Sequence, residues 1–585
     1  MQEEDFYKDN YNKVFWHSSA HILASALKEI YGNNIKLGIG PAIDNGFYYD
    51  IDFGTLTFDT TDLKKIEDKF IEIAKRNEDF IRKEVSKKDA LEYFKNEGNE
   101  YKVELIEGLE DGNITFYSNG NFTDLCKGPH IKNSSEIKAV KILNIAGAYW
   151  RGNEKNKQLT RIYAISFPNK DMLNEYLKIL EEAKLRDHRK IGQDLKLFTF
   201  SEKVGLGLPL WLPRGTVYRN LLTDFLTKEQ IKRGYKHVIT PHIGHKDLYI
   251  TSGHYAKYGK DSFQPIRTPN EDEEYFLKPM NCPHHCEIYK SEPRSYKNLP
   301  LKIAEFGTVY RYEQHGELHG LARTRCFTQD DSHIFCRKSQ VAQQIEDVID
   351  LIQMMIKKLG FTDFKARLSF YDKNDFSKYI GDKEDWDNAE KALEETAKKK
   401  GLDYIKVDGE AAFYGPKIDF IIKDAIKREW QLGTVQLDYQ LPKRFDLTFT
   451  NENNEKEVPV MIHRAPLGSI ERITSVLLEH TCGKLPLWLA PDQIIILPIS
   501  EKTLEYSNKI CNLLKENDIR AIIDERSENL NKKIREAEMM KIPLIAIIGE
   551  KEVNENVISI RKQGSKEILK YNIEDIIKYI NTECK

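Results

Sequence analysis

Two pairs of reactive side chains stand out in the first third of the chain. His17 and His21 are four residues apart in His-Ser-Ser-Ala-His, and Cys126 and His130 have the same spacing in Cys-Lys-Gly-Pro-His. Helical positions i and i+4 share a face, so the two histidines of the first pair can act together. Either pair alone is explained by ordinary packing, but together they predict a site. One thiol and three imidazoles can hold zinc or can position a hydrolytic water without metal, and the spacing leaves both alternatives open.

A denser set of polar residues lies between positions 310 and 333. Tyr-Arg-Tyr-Glu at 310–313 is followed by a loop, by Arg323, and by Thr-Gln-Asp-Asp-Ser-His ending at His333. On adjacent antiparallel strands, Arg311 and Arg323 would offer two-pronged contacts to a polyphosphate, and Glu313 could accept from an adenine amino group. A single Arg-x-Glu means little because surface ion pairs produce it often. The whole stretch is specific, and it predicts a nucleotide site.

A third segment joins an apolar strand to a helix through a glycine turn. It runs from Val460 through His463, Gly468 and Ser469 to Arg472. An arginine in the first turn of a helix lies where the helix N-terminus already favours phosphate. The segment therefore predicts a second phosphate contact.

Cysteine and histidine side chains in this middle region raise the question of a metal. Cys282, His333 and His463 are far apart in sequence, so spacing alone does not pair them. The His-His-Cys run at 284–286 lies beside Cys282 and could form a local site instead. At this point both alternatives stay open.

The elements that must position these residues fall into three blocks. The first begins with a predicted helix over 14–30 and closes on a predicted helix over 173–191. The second, about 192–489, alternates long helical patterns with strand-like runs, which is typical of a largely antiparallel sheet with helices packed on it. The third, 492–585, alternates strands and helices strictly and predicts a small α/β domain with a mainly parallel sheet.

The composition excludes several classes of protein. The chain has 585 residues, 40% hydrophobic and 31% charged, which is globular composition. Its 89 basic and 92 acidic residues give a net charge of −3, which excludes a strongly basic, sequence-wide mode of nucleic-acid binding. Eight irregularly spaced cysteines favour reduced thiols over a disulfide framework. Since no apolar run approaches ~20 residues and the acidic start has no signal-peptide pattern, we expect a cytoplasmic protein without a membrane partner.

The segments resemble class II aminoacyl-tRNA synthetases and, within that class, the threonyl-tRNA synthetase family. Positions 310–336, 460–472 and 234–241 are similar to motifs two, three and one of the class. The resemblance to the family covers essentially the whole chain, and the following segments carry it: His17–His21, Asp44–Asp50, Cys126–His130, Ala146–Gly152, Lys278–Pro283, Phe327–Cys336, Phe413–Lys417, Trp430–Asp438 and His463–Ser469.

This resemblance implies an α+β multidomain fold. An editing (second additional) domain with a linker helix would occupy 1–190, a class II catalytic core with an antiparallel sheet 191–489, and an α/β anticodon-binding domain 490–585. The family begins with a small ubiquitin-like domain that we expect to be absent here. The family also leads us to expect Gly-His where this chain has His284 and His285.

The resemblance also implies a role for each candidate residue, and the roles fall into four groups. One zinc ion per subunit would be held by Cys282, His333 and His463. ATP, with Mg²⁺, would contact Arg311 at the α-phosphate, Glu313 at the adenine, Arg323 and Arg472 at the outer phosphates, and Lys417, Gln431 and Thr434 around the adenylate. Threonine would be bordered by Gln329, Asp331 and Ser469, and the terminal ribose of the tRNA would be approached by His254. Editing of mischarged seryl-tRNA would use His17, His21, Cys126 and His130.

The implied function is ATP-dependent charging of threonine tRNA by a homodimer that edits its own errors. In the third block basic and acidic residues nearly balance, so tRNA contact must be local, with Arg526, Lys533, Arg561 and Lys562 as candidates. The alternative is a catalytically silent paralogue that serves as an RNA-binding or regulatory subunit. Such proteins usually lose phosphate arginines or metal ligands, and this chain retains both sets. A zinc hydrolase built on the first block leaves the class II motifs unexplained, and the related serine and proline enzymes lack the Cys/His/His set with a fused editing block.

Overall fold

The structure is a computed structural model, and it describes residues 3–56, 58, 59, 61–253, 255, 262–270 and 272–584. The chain divides into two compact units, residues 1–181 and 182–585. Both units combine helices with mostly antiparallel sheets, so the prediction of an α+β multidomain fold is confirmed. Within the described part of the chain, no helix has both the length and the apolar composition needed to cross a membrane.

The first unit contains two antiparallel sheets. The larger is formed by Lys36–Leu37, Ala42–Ile43, Gly46–Asp52, Ala139–Tyr149 and Gln158–Phe167, and the smaller by Phe80–Glu84, Thr115–Asn119 and Phe122–Leu125. The helices are Glu3–Tyr7, Tyr11–Tyr31, Asp62–Ala74, Lys87–Asn96 and Glu100–Glu107. The long helix Tyr11–Tyr31 packs Phe15, Ile22 and Leu23 into the core against the larger sheet, which confirms the predicted helix over 14–30.

The predicted helix over 173–191 is two helices. Lys170–Leu185 ends before Arg186, and His188–Asp194 begins after Asp187. The reason is a cap: the Asp187 side chain accepts a hydrogen bond from the backbone N–H of Arg189 at 2.9 Å and starts a new helix.

The second unit is built around an eight-stranded sheet. In spatial order its strands are Lys236–His237, Leu301–Tyr310, Cys326–Cys336, Val460–Ala465, Glu429–Asp438, Lys417–Lys423, Phe364–Phe370 and Tyr404–Asp408. The six central strands pair antiparallel, and each edge strand pairs parallel with its neighbour. The segment at 234–241 that resembles motif one forms only the short strand Lys236–His237, since the pairing ends with the Val238 N–H and Pro241 has no N–H to donate.

Helices cover this sheet and close its core. They are His188–Asp194, Pro213–Lys232, Lys246–Ser252, Cys282–Lys290, Val341–Lys358, Lys383–Lys399, Leu441–Arg444 and Ile470–Thr481. Val341–Lys358 buries Ile345, Ile349 and Ile352 against the sheet. The short pairs Phe198–Thr199 with Leu210–Trp211 and Phe449–Thr450 with Lys456–Glu457, and the small sheet Ile243–His245, Ile266–Arg267 and Glu274–Leu277, lie outside it.

The C-terminal part has its own five-stranded sheet. The strand order is Ala521–Ile523, Ile494–Pro498, Leu544–Ile548, Ile558–Lys562 and Ile568–Tyr571, with helices Leu504–Glu516, Leu530–Met539, Glu550–Glu555 and Ile573–Glu583. The prediction of a mainly parallel sheet is half right. Two pairings are parallel, but the last two are antiparallel, because the connections at 549–557 and 563–567 are too short for the crossover that parallel neighbours need.

Candidate functional site

A cavity of about 470 Å³ opens at the centre of the eight-stranded sheet. We call it the arginine cavity because its walls carry three arginines from separate segments. The candidate residues that line it are Arg311, Glu313, Arg323, Gln329, Gln431, Thr434, Ser469 and Arg472. Eight candidate side chains that are scattered over 160 positions of sequence therefore meet in one space.

The cavity's arginines are held by the connection between two strands and by one helix. Arg311 directly follows Leu301–Tyr310, and Arg323 lies in the loop before Cys326–Cys336, so both are at the ends of these strands rather than within them. Arg472 lies in the first turn of Ile470–Thr481, where its backbone N–H donates to the Ser469 hydroxyl at 3.1 Å. The preceding Gly468 has φ +64, which a glycine adopts without strain.

Of the two arginines Arg323 and Arg472 in the cavity, the first is paired with a carboxylate and the second, among the residues that the structure describes, is not. Arg323 Nε donates to Glu313 at 2.8 Å, so these two candidates are paired with each other in this structure. Arg472 has no carboxylate within ion-pair distance in the described ranges. Burial, with the neighbouring Arg323 as a further cause, lowers the pKa of Arg472. An unpaired guanidinium that is exposed to the cavity beside a second one is suited to receive a polyanion.

Lys417 lies just beyond the lining and reaches the site through a residue that the sequence analysis missed. Asp419 is fully buried and accepts from Lys417 Nζ at 2.8 Å. It also accepts from Gln431 Nε2 at 2.7 Å and from Thr434 Oγ1 at 3.0 Å. The alternation of a strand puts Lys417 and Asp419 on one face, and this spacing was a usable signal. Asp419 thus fixes three candidate side chains at once.

Beside the arginine cavity, Cys282, His333 and His463 form a buried triad. Their ligand atoms all lie within 4.8 Å of one another, and His333 and His463 are directly opposite on neighbouring strands. The Nε2 atom of His333 is 3.0 Å from Nδ1 of His463. Burial raises the pKa of the Cys282 thiol well above its ordinary value and lowers that of His333 well below. We call this set the Cys–His–His triad.

The second nitrogen of each triad histidine is also engaged. Nε2 of His463 contacts Asp438 at 2.9 Å. Nδ1 of His333 contacts Nδ1 of His285 at 2.7 Å, and the other nitrogen of His285 lies 3.4 Å from Glu305. This outer set orients the ring nitrogens that face each other, as metal-binding histidines require. His285 is therefore a neighbour of the triad rather than a member of it.

Asp331 connects the triad with the arginine cavity. Its Oδ1 lies 3.8 Å from Nε2 of His333, and its Oδ2 accepts from the Asn281 side chain at 3.0 Å. Gln329, Asp331 and His333 alternate along Cys326–Cys336 and so share a face. His254 lies outside the described residues.

A separate cavity of about 330 Å³ lies in the first unit. It is lined by His17, His21, Cys126 and His130, and we call it the histidine cavity. The thiol of Cys126 is 3.2 Å from Nε2 of His17 and 3.0 Å from Nε2 of His130. These three ligand atoms lie within 4.8 Å of one another, so the spacing alternatives with and without metal both fit.

Burial keeps the histidine cavity's reactive groups neutral. It lowers the pKa of His21 to about 4 and also lowers that of His17. It lowers the pKa of His130, with His17 and His21 as further causes. Burial raises the pKa of the Cys126 thiol to about 11. Near neutral pH the cavity therefore offers imidazoles that can accept a proton and a thiol that is not a thiolate.

Three further residues of this cavity were missed by the sequence analysis. Lys102 Nζ lies 2.6 Å from Asp124, and the Tyr49 hydroxyl donates to Asp124 at 2.5 Å. All three are buried and line the cavity. Asp124 precedes Cys126 by two positions, a spacing that could have identified it, whereas Lys102 has no signal in its helix.

One candidate for tRNA contact in the C-terminal part is wrong. Lys533 is buried, and its Nζ donates to the carbonyl oxygens of Asp524 at 2.9 Å and Pro498 at 3.4 Å. Arg526 pairs with Asp524 and Glu536, and Arg561 pairs with Glu538. These residues make contacts within the protein, and the buried Lys533 side chain has almost no exposed surface with which to contact tRNA.

The chain matches three models of known families. Residues 263–481 match the tRNA synthetase class II core domain (G, H, P, S and T). Residues 493–583 match an anticodon binding domain, and residues 114–163 match the threonyl and alanyl tRNA synthetase second additional domain.

Curated relatives match over nearly the whole chain. The threonine–tRNA ligase of Cytophaga hutchinsonii is 58% identical over 570 residues, which is 97% of this chain and 88% of that protein. The threonine–tRNA ligase of Bacteroides fragilis is 56% identical over 98% of this chain and 88% of its own.

Solved structures give the same likeness over part of the chain. The RNA binding domain of threonyl-tRNA synthetase from Cryptosporidium parvum is 40% identical with a TM-score of 0.65, over 68% of this chain and 98% of that one. A putative threonyl-tRNA synthetase from Aeropyrum pernix is 32% identical with a TM-score of 0.61, over 68% and 96%.

Proposed function

Because this chain belongs to the threonyl-tRNA synthetase family, we propose that its two cavities divide the work of a self-correcting threonine–tRNA ligase. The arginine cavity would activate threonine with ATP, and the histidine cavity would hydrolyse mischarged seryl-tRNA. The observation that carries the proposal is the convergence of eight candidate side chains in the arginine cavity, directly beside the Cys–His–His triad. The similarity to curated ligases favours this function over a silent paralogue.

Activation needs positioning more than it needs a reactive side chain. The threonine carboxylate attacks the α-phosphorus of ATP in line, the bond to the β-phosphate oxygen breaks, and pyrophosphate leaves. Arg311 would hold the α-phosphate, while Arg323 and Arg472 would hold the leaving phosphates, with Mg²⁺ bound to ATP sharing their charge. Fixed cations aimed at the charge that develops supply most of such rate enhancements.

The network around Asp419 would orient the adenylate. Its two carboxylate oxygens hold Lys417, Gln431 and Thr434 in one arrangement before any ligand binds. Because these side chains are already ordered, less conformational entropy is lost when the adenylate complex forms. Glu313 would accept from the adenine amino group once it exchanges its bond to Arg323.

The Cys–His–His triad has the donor set of a zinc site with open positions. One thiol and two imidazoles converge, and each imidazole is oriented through its second nitrogen. When bound, zinc would supply open positions that fit the amino and hydroxyl groups of threonine. Asp331 lies where it would accept the hydroxyl proton of threonine, while Gln329 and Ser469 would border the side chain. Valine lacks the hydroxyl, and a site committed to that group rejects such an analogue by about 10⁴ or more.

Serine would not be excluded by such a site. It has both polar groups of threonine and lacks one methyl, which a pocket distinguishes by only ~1–3 kcal/mol. The histidine cavity would therefore remove the mischarged serine. In the histidine cavity, a neutral imidazole would take a proton from the water that attacks the seryl carbonyl carbon. The ester bond to the terminal ribose would then break, and the proton would pass to the departing ribose oxygen. The Lys102–Asp124 pair would bind the polar end of the seryl ester.

The rest of the assembly belongs to the same proposal. We propose the division 1–190, 191–489 and 490–585, cytoplasmic location, binding of threonine tRNA, with His254 near its terminal ribose, and a homodimer. Exposed apolar side chains support a partner here: Ile239 in the motif-one segment is 98% exposed, and Ile231 and Ile243 on either side of the segment are exposed too.

Charging assays with a threonine tRNA transcript test the proposal as a whole. With threonine we expect charged tRNA and one AMP for each product. With serine we expect AMP to form while little seryl-tRNA accumulates, because each mischarged molecule is hydrolysed. Absence of AMP with every amino acid in folded, zinc-loaded protein would favour the silent paralogue.

A further inference from the structure

A third cluster of ligand-type side chains lies apart from both cavities. Asp187, His188 and Glu479 bring one ligand atom each within 4.8 Å of one another. Nδ1 of His188 is 2.6 Å from Glu479 Oε1, and Nε2 of His188 is 3.0 Å from the backbone nitrogen of Leu321. The other oxygen of Glu479 pairs with Arg428. Since both ring nitrogens of His188 have protein partners, the cluster is satisfied by the fold and is not a metal site.

The partners of His188 fix the position of its proton. The backbone N–H of Leu321 can only donate, so Nε2 of His188 must accept and Nδ1 must carry the hydrogen. That hydrogen is donated to Glu479, which also accepts from the backbone N–H of His188 at 3.2 Å. His188 is fully buried, and both of its bonds are therefore shielded from water.

The two hydrogen-bond partners of His188 lie on the segments that carry Arg323 and Arg472, the two proposed contacts to the outer phosphates. Leu321 lies in the same loop as Arg323, two positions before it, and both residues line the arginine cavity. Glu479 lies on the helix Ile470–Thr481, which carries Arg472 into the same cavity. His188 thus joins the loop that carries one arginine to the helix that carries the other.

The loop is shaped to receive the ring. Gly320 has φ +50, and a Cβ built there would lie 2.2 Å from Nε2 of His188. The ring of His319 packs edge-on against His188 at 5.5 Å between centroids. Any side chain at position 320 would push the ring away from the Leu321 N–H, so this position requires glycine.

A brace is needed here because like charges converge. Arg323 and Arg472 line one cavity, where burial and the neighbouring charge of Arg323 lower the pKa of Arg472. A loop that was free to move before ATP binds would have to be ordered on binding, and this would draw on the binding energy of ATP. The hydrogen bond between His188 and the Leu321 N–H holds the loop in place and so removes part of that cost.

We propose that His188 is a positioning residue for ATP: it holds the loop of Arg323 at a set distance from the helix of Arg472. The inference rests on the proposed function, because it takes the arginine cavity as the ATP site. His188 touches neither ATP nor threonine and acts through the two arginines.

A matched pair of variants separates the two bonds of His188. In His188→Asn the amide nitrogen can still donate to Glu479, but no atom reaches the Leu321 N–H. In His188→Gln the longer side chain places its oxygen where Nε2 stood, so it can accept from Leu321. We expect H188N to raise the KM for ATP in ATP–pyrophosphate exchange about tenfold, with the KM for threonine unchanged, and H188Q to recover most of the loss.

Hydrogen–deuterium exchange gives a readout that does not depend on catalysis. In the wild-type protein without ligands, the peptide that contains Leu321 should be protected, and it should lose protection in H188N more than in H188Q. Equal effects of the two variants, or a parallel rise in both KM values, would overturn the brace. A wild-type Leu321 amide that exchanges freely would overturn it even if both variants failed to fold.

An Arg472→Ala variant keeps the inference distinct from the proposed function. If R472A leaves the KM for ATP unchanged, the arginine cavity is not the ATP site and the proposed function fails. If R472A weakens ATP while H188N does not, the cavity assignment survives and the brace fails.

Discussion

Permanent cations line the arginine cavity, whereas burial keeps the reactive groups of the histidine cavity neutral. Arginine side chains such as Arg311, Arg323 and Arg472 keep their charge at any physiological pH, and under the proposed function they would bind an anion. His21 and Cys126 are uncharged near neutral pH because burial lowers the first pKa to about 4 and raises the second to about 11. The arginine cavity is therefore suited to holding charge in place, and the histidine cavity to moving a proton.

The two cavities also draw on separate parts of the chain. Every described residue that lines the histidine cavity lies between 17 and 130, and every one that lines the arginine cavity lies between 311 and 472. We therefore expect each cavity to be disabled without loss of the other. The following predictions test this separation in order of expected effect.

The largest expected effect follows loss of a phosphate cation. Arg472→Ala should lower kcat/KM for threonine activation by about 10²–10³, since a positioned charge is lost where charge develops. Arg472→Lys should recover little, because an ammonium cannot make the two-pronged contact. Pyrophosphate exchange measures this, and hydrolysis of added seryl-tRNA by the same variants should stay at the wild-type rate.

A smaller loss is expected in the histidine cavity. His130→Ala should slow hydrolysis of seryl-tRNA about 100-fold, because a positioned proton acceptor is removed. Threonine activation serves as the control and should not change. A parallel fall of both activities would mean that the two cavities are not separate.

The pH profile sharpens the same contrast. Burial lowers the pKa values of His17, His21 and His130, that of His21 to about 4, so the neutral rings persist as pH falls below the ordinary imidazole range. Single-turnover hydrolysis of seryl-tRNA should therefore stay level between about pH 8 and pH 5. A rate that halves near pH 6.5 would show imidazoles with an ordinary pKa.

The protonation state of the Cys126 thiol predicts that hydrolysis proceeds without an acylated protein. Because burial raises the pKa of Cys126 to about 11, little thiolate is present to attack the seryl ester. Rapid-quench experiments with labelled serine should trap no acylated protein during hydrolysis. A burst of label bound to Cys126 would contradict hydrolysis by water.

The smallest expected effect lies in the outer contacts of the Cys–His–His triad. His285→Gln should weaken zinc retention against a chelator about tenfold, since Nδ1 of His333 loses the partner that orients it. His284 is the matched control: it is buried in the same helix, but its two nitrogens have no hydrogen-bond partner in the described ranges. H284Q should keep zinc as the wild type does, and equal losses in both variants would give His285 no special role.

The sequence predicted these sites wherever a local period or a long motif carried the signal. Periodicity groups His17 with His21 on one helix face. The roles of Gln329 and Asp331 came from the family resemblance, and the strand places both on one face with His333. The glycine turn into the helix that carries Arg472 was predicted from an apolar run followed by Gly468. Spacing could not assemble the Cys–His–His triad, because the pairing of distant strands brings His333 opposite His463.

Other features depend on tertiary contacts that no local sequence pattern predicts. Gln431 and Thr434 are an odd number of residues apart, yet both reach Asp419, because the strand register shifts between Asp419 and Ile421. Lys102 is one lysine among many in a helix until the fold buries it against Asp124. The break at Asp187 was missed because the apolar pattern continues through the cap.

Under the proposed function, the arginine cavity and the Cys–His–His triad select threonine over valine but admit serine, which the histidine cavity then removes. ATP–pyrophosphate exchange with threonine, serine and valine, on metal-stripped and zinc-reloaded protein, tests the selection directly. We predict exchange with threonine, some with serine and almost none with valine, all lost on stripping and restored by zinc. Exchange that survives complete removal of zinc, or valine that competes well, would contradict the assignment of Cys282, His333 and His463.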